Sequence, residues 1–277
     1  MAAIERRARP LLGTFVEIGM RNGTPAVFSK AFAAVEHIHQ RMSAHLIDSD
    51  LGKIAREAHH RWVTLDASTA EVIRLSLIWS GLTEGAFDPI RAGCKLVHAG
   101  RRPCLADHLP DLIATWHDVE LNGIKIRTTR PLTIDLGGVA KGYAVDLAAE
   151  IITAHGYSGI VNAGGDLRFT GIEKRAISLR KPDAEGTRME LQEIPYPALA
   201  TTASYVFSEE GGNLDLIGGK LPPAGISITV FAENCALADA MTKAVLNLPA
   251  TQATALLRQL GCSALILTAE GDYHELR

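Results

Sequence analysis

Apolar residues along the chain fall into two periods, and the alternation between them predicts a mixed helix and strand fold. Val27, Ala31, Ala34, Val35 and Ile38 recur at steps of three and four, which predicts a helix over 25–43. Met42-Ser43 reads as the end of that helix, and the polar run Asp48-Ser49-Asp50-Leu51 as the cap of the next. Ser68 or Thr69 caps a helix through Val72, Ile73, Leu75, Leu77, Ile78 and Trp79, apolar enough to be buried. Val139, Tyr143 and Leu147 lie on one face of a helix over 139–155. Further helices are expected at 234–246 and 251–260. Short apolar runs between them predict strands: Arg9–Ile18 opening on a glycine turn, Val63–Asp66, Leu132–Asp135, Ser158–Asn162, Leu167–Gly171, Ala176–Arg180, Ala198–Thr202 and Ile226–Phe231. Two hairpins are expected, one about a type I′ Asn122-Gly123 turn and one over 263–275. No element is clear over 94–116, which prolines at 103 and 110 interrupt.

No repeat or low-complexity linker divides this pattern. The expectation is one α+β domain over 1–277, with helices covering a mainly antiparallel sheet. Apolar residues are 47% and charged residues 21%, enough for a substantial core. With 28 basic against 31 acidic residues, composition makes no case for nucleic-acid or membrane-surface partners. Met1–Pro10 has basic residues without an apolar stretch behind them, and no run suits a membrane span, so a cytoplasmic location is expected. Cys94, Cys104, Cys235 and Cys262 lack Cys-x-x-Cys spacing and read as reduced thiols.

Candidate chemistry centres on residues 132–146, a strand that turns at Gly137-Gly138 into a helix. Glycines let a ligand approach the backbone, and the first helical amides with the helix dipole suit a phosphate. Lys141 adds a positive charge, and Asp135 can accept hydrogen bonds from a sugar, base or ring edge. An ordinary strand-to-helix corner has the same appearance. Downstream, Asp239 and Lys243 share a face of a helix with little polar surface, so the pair is expected to be buried or to face a cleft. Ala163-Gly164-Gly165-Asp166 reads as a glycine bend in a sheet where a ligand or another backbone comes close. Thr201 and Thr202 can bond phosphate or ribose, or simply satisfy local backbone groups.

Several of these stretches, in the same order along the chain, resemble the ApbE family of FAD:protein FMN transferases. They are Leu12-Gly13-Thr14, Met42-Ser43, Gly85-Ala86-Phe87-Asp88-Pro89, Asp135–Asp146, Asn162–Asp166, Ala200–Ser204 and Ala238-Asp239-Ala240. The resemblance implies that FAD is bound by Leu12, Gly13, Ala86, Phe87, Asp88, Asp135, Gly137, Gly138, Lys141, Gly164, Gly165, Thr201, Thr202 and Asp215. It implies an acceptor flavoprotein whose threonine hydroxyl takes FMN while AMP leaves. It also implies magnesium, held by Asp239, by the carbonyl of Gly138 and by a threonine four residues after the aspartate. Here that position is Lys243, with Thr242 one residue before it. An ammonium there repels the ion or does part of its work, so Asp239 and Lys243 are the catalytic candidates. The histidine segment the family carries further on is replaced by Gly211–Lys220. A non-catalytic FAD-binding or flavin-delivery protein is the alternative.

Overall fold

Leu12 and Gly13 turn the chain back on itself at its start. In the computed structural model, which describes residues 4–171, 175–183, 185–204 and 225–277, strands β1 (Ile4–Leu11) and β2 (Thr14–Arg21) pair antiparallel with Leu11 opposite Thr14. Leu12 and Gly13 both take positive φ, 56° and 72°, as a type I′ hairpin requires. The single strand expected over 9–18 is therefore the tip of a hairpin.

The chain continues as α1 (Pro25–Arg41), α2 (Asp50–Glu57), β3 (Val63–Thr64), α3 (Ala67–Leu82) and α4 (Pro89–His98). Then come β4 (Val119–Asn122), β5 (Lys125–Thr128), α5 (Ala140–Ala154), β6 (Gly159–Ala163), β7 (Asp166–Thr170), β8 (Ile177–Arg180) and β9 (Arg188–Leu191). The last elements are β10 (Ala198–Ser204), β11 (Ile226–Ala232), α6 (Cys235–Asn247), α7 (Ala250–Gln259), β12 (Ser263–Thr268) and β13 (Tyr273–Leu276). No helix among the described residues is long and apolar enough to cross a membrane.

By their internal contacts the described residues form two units: His37–Ala140, and the residues on either side of that stretch. The unit built from the two ends holds an eight-stranded sheet in the order β1-β2-β6-β7-β10-β11-β12-β13, antiparallel at every pairing. Its core lies on both faces of β10 and β11. On one face Leu199 and Phe231 join Phe169, Ile177, Leu179, Ile194, Leu265 and Leu267 in a buried cluster. The opposite face carries Ala198, Ala200, Ile228 and Val230, and α6 packs there, buried from Cys235 to Val245. Small residues on β10 let this helix lie close to the strand.

The unit of His37–Ala140 holds a three-stranded sheet, β3-β5-β4, with α2, α3 and α4. Here the structure corrects several expectations. Asp66, not Ser68 or Thr69, caps α3, taking the Ser68 amide at 2.9 Å. The β4–β5 register pairs Asn122 with Lys125, so the turn is Gly123-Ile124. Of these two only Gly123 has positive φ (57°), the pattern of a II′ turn rather than I′. Leu132–Asp135 joins no sheet. It lies against α4 instead, where Asp135 N donates to Pro89 O at 3.0 Å. Gly93 makes that fit possible, since a Cβ there would stand 2.7 Å from Thr133 O.

Candidate active site

The charged cluster of the sheet-bearing unit follows from how α5 meets α6. Gly142 on α5 lies so close to the start of α6 that a Cβ would sit 2.3 Å from Cys235 O. One turn later Asp146 accepts the amides of Cys235 and Ala236, both at 2.9 Å, and Asn234 accepts that of Leu237 at 2.9 Å. The first three amides of α6 are thus satisfied by side chains, two of them from another helix. Burial pushes the Asp146 carboxyl up, opposed by Arg168, which donates to it at 2.7 Å.

This docking sets Lys141 beside α6. Its ammonium pairs closely with Asp166 Oδ2 and lies 3.5 Å from Asp239 Oδ2. On the other side of Asp239, Lys243 Nζ lies 3.5 Å from Oδ1. The result is a row of alternating charge: Asp166, Lys141, Asp239, Lys243. The acids and Lys243 are buried, their side chains at most 7% exposed, while that of Lys141 is 30% exposed. Burial alone lowers the Lys141 pKa, but Asp166 and Asp239 outweigh it and hold the ammonium above its usual range. Burial first, and then the Asp239 charge, push Asp166 up to about 6 against the pull of Lys141.

Asp166 is the member that sequence reasoning left off the site. Its signal was the acid ending Asn162–Asp166. Gly164 and Gly165 form a two-residue turn at φ 66° and 107° between Ala163 and Asp166, which face each other across the β6–β7 hairpin. Their visible role is to make that turn and to bring Asp166 to the start of β7. Thr14 packs against Gly164, where a Cβ would meet its Oγ1 at 2.7 Å.

The two threonines of β10 part company, as adjacent strand residues must. Thr202 accepts a short hydrogen bond from Lys243 Nζ and shares one with Thr242 Oγ1 at 2.8 Å. Thr201 points to the other face and pairs with Thr229 Oγ1 at 2.9 Å.

Whether these residues fit magnesium can be tested on Thr242 and Asp239. A threonine hydroxyl has one proton and two lone pairs. That of Thr242 donates to Asp239 O at 2.7 Å and meets Thr202 Oγ1 at 2.8 Å and Lys243 Nζ at 3.1 Å. Its bonding capacity is filled. Among the described residues, both Asp239 carboxylate oxygens are buried without a hydrogen bond, as a metal ligand's would be, yet each faces an ammonium. Magnesium asks for about six hard oxygens in near-ideal octahedral order. Asp239 and Thr242 as arranged here do not offer it a place.

In the unit of His37–Ala140, the FAD-binding candidates carry local structure. Phe87 is buried against Trp79, ring centroids 6.4 Å apart. Asp88 is fully buried and caps α4, taking the amides of Ile90 and Arg91 at 3.0 and 3.1 Å. Ala86 N closes the preceding turn on Thr83 O at 2.9 Å. Asp135 accepts Arg102 Nε at 2.7 Å and the Gly137 amide at 2.6 Å, so an amide expected to meet an anion is already held. Leu136 O takes the amides of Val139 and Ala140, and Gly138 stands in the turn between. Asp215 lies outside the described residues.

An antiparallel sheet with helices packed on it, and a largely buried row of acids and ammoniums where α5 meets α6 and β7, defines an α+β protein with a charged interior site. The ApbE family's sequence profile matches residues 12–266, and the chain belongs to that family. It is 27% identical to a Vibrio cholerae protein called FAD:protein FMN transferase, over 75% of this chain and 69% of that one. A Treponema pallidum protein of the same name is 24% identical, over 94% of this chain and 83% of its own. Among solved structures, the ApbE protein of Thermotoga maritima superposes with a TM-score of 0.79 at 23% identity, covering 98% of this chain and 96% of that one. The flavin transferase ApbE of Vibrio cholerae gives 0.80 at 20%, covering 99% and 97%. At these identities the structural likeness speaks for the fold.

Proposed function

We propose that this protein is an FAD:protein FMN transferase acting as one domain. Its substrates are FAD and an acceptor flavoprotein with a target threonine. The threonine oxygen bonds to the FMN phosphorus, the bond from that phosphorus to the bridging oxygen breaks, and AMP leaves with the bridging oxygen. The hydroxyl proton passes to a base. Family position supports FAD contacts from Asp135, the 86–88 loop and the glycine turns.

The observation that carries the reading is the fixed row Asp166-Lys141-Asp239-Lys243. Phosphoryl transfer depends on preorganised positive charge that need not reorganise as the bond breaks. Lys141, pinned between two acids but partly exposed, suits the diphosphate. Asp166, pushed up to about 6, has a proton affinity close to neutral working pH and suits the role of proton acceptor. Asp239 is the least suited, because an ammonium faces each of its oxygens.

The test is incubation with FAD and a threonine-bearing acceptor of the flavodoxin or quinone-reductase type, followed by mass spectrometry. An acceptor heavier by one FMN is the expected result. An unmodified acceptor beside firmly bound FAD overturns transfer and leaves the flavin-delivery reading.

A further inference from the structure

We propose that Lys243 is a resident cation in the place of a divalent metal, so that Asp239 binds no metal ion and the protein engages its diphosphate ligand without one. The proposal takes only the identity of that ligand from the flavin-transferase reading.

Three described oxygens surround the Lys243 ammonium: Thr202 Oγ1 at short range, Thr242 Oγ1 at 3.1 Å and Asp239 Oδ1 at 3.5 Å. An ammonium has three N–H donors. It meets hard oxygens from two elements, β10 and α6, much as a small cation would. The acid it faces is one an ion would need. With Lys141 on Oδ2, a single carboxylate is matched by two ammoniums. A divalent ion there would have to displace Lys243, whose side chain is 7% exposed, or stand beside it. Two cations in contact in a poorly hydrated place repel strongly.

The Thr242 hydroxyl is part of the same arrangement. It is fully buried, and its proton is committed to the Asp239 carbonyl within the helix. Its remaining capacity goes to Thr202 and Lys243. The oxygens that a metal would collect are tied to one another and to the ammonium. Lys141 then stands as the partly exposed charge of the row, above Asp239 and Lys243 in the buried interior.

The test uses the full-length, metal-free protein and Mn2+ alone, with free Mn2+ read by its paramagnetic resonance. The wild type is expected to take up no Mn2+ that the Asp239→Asn variant fails to take up. Lys243→Thr is expected to gain one Mn2+ per chain, and Asp239→Asn combined with Lys243→Thr to lose it again. If Lys243→Thr does not fold, judged by its circular dichroism, the comparison of wild type with Asp239→Asn decides alone. FAD affinity, read by flavin fluorescence, is expected to agree within about twofold between excess EDTA and excess Mg2+. Uptake of one Mn2+ per wild-type chain that Asp239→Asn abolishes would overturn the proposal. So would a roughly tenfold weaker FAD affinity in EDTA. Failure of FAD to bind in either buffer would sink the flavin reading, while the Mn2+ titration would still decide this one.

Discussion

The carboxylate of Asp146 accepts the amide of Cys235 at 2.9 Å, so that one helix closes the open end of another. Asp146 and Cys235 are distant in sequence, and the bond between them fixes where α6 begins. It therefore fixes where Asp239, one turn along α6, meets Lys141 from α5. Replacing Asp146 by Ala strands two buried amides and removes the nearer of the two carboxylates that face Arg168. We expect a loss of about 2–4 kcal/mol in urea unfolding. Asp146→Asn keeps one acceptor oxygen and should lose less. An Ala variant as stable as the wild type would show that the grip on these two amides is not what holds the helix.

Gly142 supplies the second half of the same fit. Within an exposed helix, changing Gly to Ala gains about 1 kcal/mol. Here the added methyl would stand 2.3 Å from Cys235 O and 2.6 Å from its carbonyl carbon. Backbone atoms cannot rotate away, so the two helices must separate. Gly142→Ala should destabilise the protein by about 1–3 kcal/mol. A stabilised variant would mean that the helices part at little cost.

The elements most legible in the sequence were those whose pattern was local. The helices α1, α5, α6 and α7 and the strands β6, β10 and β11 announced themselves through period alone. Burial of Asp239 and Lys243 was legible too, because Leu237, Ala238, Ala240, Met241 and Ala244 leave α6 no polar face. Long-range partners were not legible. Nothing local says that Leu132–Asp135 will lie on α4 instead of in a sheet, since β-type spacing serves an extended segment on a helix equally well. Helix α4 was not expected, although proline is favoured at the first turn of a helix, where Pro89 stands. That Thr201 and Thr202 take opposite faces could have been read from strand alternation. That Asp166 joins Lys141 could not, because the pairing depends on α5 crossing to β7.

Asp88 offers a clean separation of structural from ligand roles. It sits before Pro89 with extended backbone, and its Oδ1 takes two amides of α4. Burial pushes its carboxyl up, against the pull of those amides. A capping residue tolerates another cap. Asp88→Ser should keep most of the stability, and Asp88→Ala should lose about 1–2 kcal/mol in thermal or urea unfolding. With the Asp88 side chain committed to α4, the contact proposed from the 86–88 loop falls to its backbone and to Ala86 and Phe87, so FAD affinity in Asp88→Ser should stay close to wild type. A Ser variant as stable as wild type but unable to bind FAD would return Asp88 to the ligand site.

The pH dependence of stability tests the charge row itself. Asp166 titrates near 3.9 in the unfolded chain and at about 6 in the fold. Between those values the folded protein holds a proton that the unfolded chain has released. Stability from this group is therefore present below pH 4 and is lost as pH rises through 6. Asp166→Asn removes the titration but leaves Lys141 its second partner, Asp239, at 3.5 Å. The unfolding free energy of the wild type, relative to that of Asp166→Asn at each pH, should fall between about pH 4 and 6 and level off above 7. Any constant offset between the two reflects the lost ion pair and does not bear on the slope. A relative stability that instead rises with pH over this range would mean that Lys141 holds Asp166 ionised, and a proton acceptor near neutrality would have to be sought elsewhere.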